Sequence, residues 1–352
     1  MHLQNKQWPA TQSALSTARS SLDHGIANNF AVPAKWPATL IVQLNDDCAN
    51  AVTGGAVVAN FSNGDVPVTL LNTGQGASYS ATWQPSSPSS QMVVTLNATS
   101  GTLAPAQLQL VGGVSANPVA APVLATGGTV NAFNPISGGA LSPGTIVEMF
   151  GSGLASTSTA TGAPPLPITF SGTTVLIGGL SAPLYYISDG QINAQIPAEL
   201  PANQTYPILV SANGTVTVPD QLDMVTLQPG VDAANGLLVA QHGGSAALVT
   251  AGSPAKPGET VVVYLLGMGA TNPAVPSGQP APSNPLAQVT VQPTITVDGQ
   301  PSHVDFAGLT PGFAGLYQID FDIPASARTG NLTVIISQNG VATNTTTLPV
   351  SQ

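Results

Sequence analysis

Two heptapeptides constrain the fold of this chain more than any other feature: QINAQIP at 191–197 and QIDFDIP at 318–324. In the first, Ile192, Ala194 and Ile196 alternate with Gln191, Asn193 and Gln195; in the second, Ile319, Phe321 and Ile323 alternate with Gln318, Asp320 and Asp322. That is the period of a strand with one buried face. Pro197 and Pro324 have no N–H to give to a ladder, so each marks where pairing stops. The apolar face recurs while the polar face changes from amides to carboxylates. A duplicated active site would keep its polar chemistry, so the repetition implies a duplicated fold.

The duplication extends outward. LSPGTIVEMFGSGLA (141–155) aligns with AKPGETVVVYLLGMGA (255–270), each with a Pro-Gly turn, a strand of β-branched residues and a Gly-x-Gly exit. TTVLIGGLSAPLYYIS (173–188) aligns with PTITVDGQPSHVDFAG (293–308), and YPILVSANGTVT (206–217) with NLTVIISQNGVAT (331–343). Gly178-Gly179, Asp298-Gly299, Asn213-Gly214 and Asn339-Gly340 suit two-residue hairpin turns. The second copy carries the longer loops, chiefly NPAVPSGQPAPSNP.

Upstream, short alternating runs such as TLIVQL, AVVANFS, SYSATW and QMVVTLNA are separated by Gly, Pro and Asn turn signals, the pattern of an antiparallel sandwich. Helix-period segments are nearly absent after residue 32, which excludes nucleotide-binding α/β folds with crossover helices. The expected fold class is all-β, tandem immunoglobulin-like β-sandwich domains. The expected division is a poorly ordered lead-in over 1–32 with a short helix over 11–22, a first module over 33–114, repeat copies over 115–227 and 255–352, and a bridging hairpin over 228–254.

Composition narrows the partners. Only 6% of residues are charged, and Lys and Arg number five, with none between Lys35 and Lys256. Phosphate backbones and anionic membrane surfaces need clustered cations, so nucleic acid and membrane partners are excluded. The net charge of −10 comes from 15 thinly spread carboxylates and reads as a solubility device. With so few titratable groups, stability should vary weakly with pH. The single cysteine, Cys48, excludes an internal disulfide and any multi-cysteine metal site. No apolar run is long enough for a membrane helix, and the first residues have no apolar core of a secretory signal, so the chain is either not exported by that route or a fragment of a longer one.

Residues 130–352 resemble the C-terminal domain family of unknown function found in Solibacter-type acidobacterial secreted proteins. The motifs that carry the resemblance are LSPGTIVEMFGSGLA, PLYYISDGQINAQIPAEL, PAKPGETVVVYLLGMGA, PSGQPAPSNPL and GLTPGFAGLYQIDFDIP. Each half is also similar to IPT/TIG immunoglobulin-like domains, and VQLNDDCANAVTGGAVVANFSNGD to the opening of bacterial immunoglobulin-like modules. The resemblance implies an exported, repeat-rich context and assigns no catalytic residue.

Candidate sites are few. Asp320 and Asp322 lie at i and i+2 on one strand face, about 7 Å apart, a spacing that overlaps that of glycosidase carboxylates. The first copy offers Asn193 and Gln195 instead, so a solvated strand face is the better reading. His303 and Asp305 could share a face nearby as weak metal ligands. Asn45, Asp46 and Asp47 present three oxygen-bearing side chains where Ca²⁺ could sit, against the better reading of an Asx turn, because Ca²⁺ needs 6–8 oxygens. Tyr186, Phe313 and Tyr317 could form an aromatic platform for sugar rings, with only one of Tyr185 and Tyr186 exposed if the other is core. HGGS at 242–245 reads as a hairpin turn, because no G-x-S-x-G elbow supplies a nucleophile. The functional expectation is a non-enzymatic extracellular or cell-surface structural or adhesive module array without a cofactor, meeting a protein or polysaccharide surface. The alternatives are a carbohydrate-binding accessory module and, behind it, a hydrolase using the Asp pair.

Overall fold

The computed structural model describes residues 26–73, 76–101, 103–117 and 121–352, and the backbone of 13–17. Among the described residues every regular element is a strand. The chain forms two compact units, Met1–Ala121 and Pro122–Gln352.

In the first unit eight strands run in the order Ser13–Thr17, Ala38–Asp46, Ser78–Trp83, Val68–Asn72, Ala56–Phe61, Ser89–Ser100, Leu103–Ser115 and Phe30–Pro33. All neighbours are antiparallel except the last pair. Alternating residues Leu40, Val42 and Leu44 from one strand meet Met92, Val94 and Leu96 from another in a single core. Trp83 sits in that core, stacked on Phe61 with ring centroids 4.6 Å apart and edge-on to Phe30 at 6.1 Å. Its indole N–H needs a buried acceptor, and Asp65 Oδ2 provides one at 2.9 Å.

Two expectations for the start of the chain are corrected. Ser13–Thr17 is a strand, antiparallel to Ala38–Asp46, where a helix was expected; pairing to a waiting sheet edge outweighs a weak local helical preference. Ile26 and Phe30 are buried in the core, so residues 26–32 belong to the sandwich and not to a lead-in. The remaining residues of 1–25 lie outside the described residues.

The second unit holds four sheets and two core clusters, and the repeats occupy matching places in them. Gln191–Gln195 lies between Ile146–Ser152 and Leu184–Ile187, as Tyr317–Asp322 lies between Thr260–Leu266 and Val304–Leu309. On the facing sheets, Gln204–Ala212 lies between Thr174–Ile177 and Asp220–Met224, as Gly330–Gln338 lies between Pro293–Val297 and Thr346–Val350. The strands are those of tandem immunoglobulin-like β-sandwiches. Positive φ at both central residues of Asn213-Gly214, Asn339-Gly340, Gly178-Gly179 and Asp298-Gly299 fits the mirror-image turns that match strand twist.

Even an irregularity is duplicated: the register slips between Leu184 and Tyr186 and at the aligned place between Val304 and Phe306. The Gly-x-Gly exits mark close backbone approach, since a Cβ at Gly267 would stand 2.3 Å from the Gln228 carbonyl oxygen and one at Gly151 2.1 Å from that of Val123. Segment 228–254 is woven into the second sandwich. Gly230–Val231 and Ala240–His242 pair with Thr260–Leu266, and the hairpin Ala233–Leu238 joins the opposite sheet beside Thr346–Val350.

Candidate functional site

The paired strands that open the repeat decide what their polar faces do. Gln318 Nε2 donates to Asp320 Oδ1 at 2.7 Å, and Gln191 Nε2 donates to Asn193 Oδ1 at the same distance. An amide in one copy makes the bond that a carboxylate makes in the other, so the bond belongs to the fold. Burial first, then the charge of Asp305, pushes the Asp320 carboxyl up, against the bond from Gln318. Asp322 Oδ1 accepts from Thr260 Oγ1 at 2.7 Å, a contact between neighbouring strands. His303 Nε2 and Asp305 Oδ1 stand 3.5 Å apart and both side chains are largely exposed, a solvent-screened pair and no more.

Gln195 departs from the alternation. It is 4% exposed, beside the equally buried Ala194, and its side chain points at the second sandwich. Its Oε1 accepts the Gly278 amide at 2.7 Å and its Nε2 donates to the Gly144 carbonyl at 3.3 Å. The long loop of the second copy supplies more of this seam: Ser277 Oγ accepts from the Ala198 amide at 2.7 Å and donates to Glu199 Oε2 at 2.6 Å, and Leu166 N–H donates to Gly278 O at 2.8 Å. Elsewhere on it Ser142 Oγ donates to Gly267 O at 3.1 Å, buried, and Tyr185 Oη to Ala314 O at 2.6 Å. A cavity of about 260 Å³ between Leu200, Val275, Leu309 and Tyr317 has no charged lining residue. It is smaller than the ~300 Å³ at which ligand pockets begin.

The expected aromatic platform does not assemble. Tyr317 is 3% exposed, in the core, and its hydroxyl donates to the Gly269 carbonyl; burial pushes its phenol up. It cannot present a face to a sugar. Phe313 is half exposed, on a loop. Tyr185 and Tyr186 are both half-buried, neither in the core, because the register slip lets Leu184 and Ile187 take the two core positions. Tyr186 Oη pairs with Ser158 Oγ at 3.0 Å, and bonds to Ser158 and Ser188 hold its phenol below the usual value.

At the end of strand Ala38–Asp46, Asp46 Oδ1 accepts the amides of Cys48 at 2.9 Å and Asn50 at 2.8 Å, and Asn50 Nδ2 reaches Oδ2 at 2.9 Å. This is the Asx turn, and those bonds, led by Asn50, hold the Asp46 carboxyl below its ordinary value. Asp46, Asp47 and Cys48 could bring three ligand atoms within 4.8 Å, but the Asp46 carboxylate is already committed to the turn. Asn45 adds its backbone, bridged to Ala51. Lost solvation, then Asp47 and Asp46, push the Cys48 thiol up, away from a reactive thiolate.

The first sandwich of the second unit, with its bulged Leu184–Ile187 strand and paired sheets, is also a match by sequence. Residues 129–225 match the IPT/TIG domain. The match runs from the last residues of the lead strand, Val123–Asn131, through the end of Asp220–Met224. No curated protein matches the chain. Similar solved structures include SGBP-B of the Bacteroides ovatus mixed-linkage glucan utilization locus in complex with a heptasaccharide, at 12% identity and TM-score 0.31, over 98% of this chain and 71% of that one. The Escherichia coli adhesin FdeC is 13% identical at TM-score 0.22, over 98% of both chains, and the tandem Ig repeats of Dlar are 11% identical at TM-score 0.27, over 60% of this chain and 97% of that one. At these scores none of the three bears on what the chain does.

Two arrangements had no legible sequence signal: the burial of Gln195 and the side-chain contacts of His242. HGGS does form a turn, with the Ser245 and Ala246 amides on His242 O. The histidine ring, however, bridges Glu259 and Ser253.

Proposed function

We propose that the chain is a stiff structural element of an extracellular or cell-surface assembly, a non-enzymatic array of three sandwiches that holds or presents its neighbours. The observation that carries this reading is the seam of the second unit. Gln195, Gly278, Ser142 and Gly267 exchange buried hydrogen bonds between two sandwiches that the sequence joins only through a short connection. Buried polar groups are costly to leave unpaired, so flexing at this seam is penalised. The finer resemblance to Solibacter-type C-terminal domains rests on the motifs quoted above and agrees with an exported setting. Asp320 and Asp322 are each engaged by a strand contact, to Gln318 and Thr260, which supports a structural use of the pair.

Pulling the full chain by its ends tests the reading. The two sandwiches of the second unit should yield together, and Gln195→Ala should split that event into two at lower force. Separate low-force events in the unaltered chain would overturn it. A carbohydrate-binding role rests on half-exposed Phe313 alone with Tyr186, and would be favoured by retention on insoluble polysaccharide that Phe313→Ala abolishes.

A further inference from the structure

We propose that Ser253 is an activated nucleophile, a modification site that takes an acyl group from activated esters, with His242 as its base and Glu259 as the residue that positions the ring. His242 Nε2 stands 3.2 Å from Ser253 Oγ, and His242 Nδ1 stands 2.5 Å from Glu259 Oε1. The order hydroxyl, Nε2, Nδ1, carboxylate is the one by which a serine is activated on unrelated folds. Glu259 is fixed in turn, since its Oε2 accepts the Lys256 amide at 2.8 Å. Imidazole and carboxylate are mostly shielded, at 15% and 23% exposure, while Ser253 is exposed on its turn.

The protonation pattern follows from the partners. A carboxylate at Nδ1 holds the proton of a neutral ring there, which leaves the Nε2 lone pair facing the hydroxyl. The Ser253 carbonyl oxygen is also 3.2 Å from Nε2, and the ring can donate to it only when Nε2 is protonated as well as Nδ1. The charged groups on the elements packed around the ring are Glu259, Lys256 and, through Thr260, Asp322.

The fold does not require this constellation, because the first copy builds the same turn without it. There Thr145 occupies the place of Glu259 and Ser142 that of Lys256, and the amide of Thr145 closes onto Ser142 O as that of Glu259 closes onto Lys256 O. A Ser142 to Thr145 hydroxyl contact at 3.0 Å stands where Glu259 Oε2 accepts the Lys256 amide in the second copy. The histidine and the carboxylate are additions to one copy of a shared frame.

In the reaction, Ser253 Oγ bonds to the ester carbonyl carbon while its proton passes to His242 Nε2. The bond to the alkoxide breaks, and the leaving oxygen takes that proton, giving acyl-Ser253 and an alcohol. Since Ser253 stands on an open turn, ester reactivity and not shape selects the donor, and the outcome is one modified residue. The site is therefore compatible with a structural role for the chain and independent of it.

The test is p-nitrophenyl acetate on the full chain at near-neutral pH, with acetylation mapped by peptide mass. Ser253 should be acetylated about 10²-fold faster than exposed Ser152, the low end of what a positioned base contributes. Ser253→Ala should abolish that label, and His242→Gln should reduce it to the background rate. Glu259→Thr, the residue at the matching place in the first copy, should slow labelling and release the proton from Nδ1 in the imidazole nitrogen spectrum, a signature that loss of packing alone would not give. Circular dichroism melts show that each variant is folded. Labelling of Ser253 no faster than Ser152, or undiminished in His242→Gln, would overturn the proposal.

Discussion

Gln195 Oε1 accepts the amide of Gly278 at 2.7 Å, and both residues are buried where two sandwiches of the second unit meet. The contact turns a strand residue that alternation assigns to solvent into the fixed point of a long loop. Removing it strands the Gly278 N–H and the Gly144 carbonyl away from water. Gln195→Ala should therefore cost about 1–3 kcal/mol. Hydrogen exchange gives the decisive reading: the Gly278 amide should lose protection in the variant while amides of the first unit keep theirs, and unchanged protection would show that the bond carries nothing.

Glu199 adds a pH-dependent part to the same loop. Burial pushes its carboxyl up, but the two bonds from Ser277 outweigh this and leave it below the ordinary carboxylate value. A folded value below the unfolded one means stabilisation that is full above the unfolded value and is lost as pH falls through the folded one. Because Glu199 is largely exposed, the contribution is about 1 kcal/mol at most. Asp320 and Asp232, both pushed up by burial, act in the opposite direction and gain on acidification. Asp46, Asp65 and Asp298, also held below their ordinary values, act with Glu199, so the melting midpoint should be nearly flat from neutral to mildly acid pH, with Glu199→Gln lessening the decline at its acid end.

The indole of Trp83 and the carboxylate of Asp65 make a second buried pair, in the first unit. Burial pushes Asp65 up, yet bonds from Ser86, Asn63 and Trp83 together hold it below its usual value. Asp65→Ala would leave the Trp83 N–H without its acceptor and should lower the first unit's stability by about 1–3 kcal/mol. Trp36 and Trp83 lie in the first unit and no tryptophan occurs after Ala121, so denaturation followed by tryptophan fluorescence does not read the second unit. A transition at the unaltered denaturant concentration would contradict the role given to Asp65.

The strands and turns were legible because period-two alternation and Asn-Gly or Asp-Gly pairs act locally, within the segment that displays them. What alternation cannot carry is which polar face meets another module. Gln195 and Asp322 occupy equivalent places in their strands, yet only Gln195 is buried, because a loop about 80 residues downstream covers it. Tyr317 misled for the related reason that an aromatic at a strand start is equally consistent with core and surface. The half-burial of both Tyr185 and Tyr186 arises at a bulge, which no residue type announces. His242, at the end of strand Ala240–His242, meets Ser253 and Glu259 from two turns through the pairing of that strand with Thr260–Leu266, an event with no local signature.

Asp320 supplies the sharpest check on the duplication itself. Its Oδ1 takes the Gln318 amide at 2.7 Å, and Asn193, at the matching place in the first copy, takes the Gln191 amide through an oxygen of the same geometry. Asp320→Asn should therefore keep the bond while removing a half-buried charge that faces Asp305. At neutral pH the variant should be as stable as the unaltered chain or more so, by up to about 1 kcal/mol, because a neutral amide has less solvation to lose than a carboxylate. Asp320→Ala, which removes the acceptor as well, should be less stable than Asp320→Asn. Paired denaturation curves read the order directly, and an Asp320→Asn chain that lost stability at neutral pH would mean that the carboxylate has a use the first copy does not share.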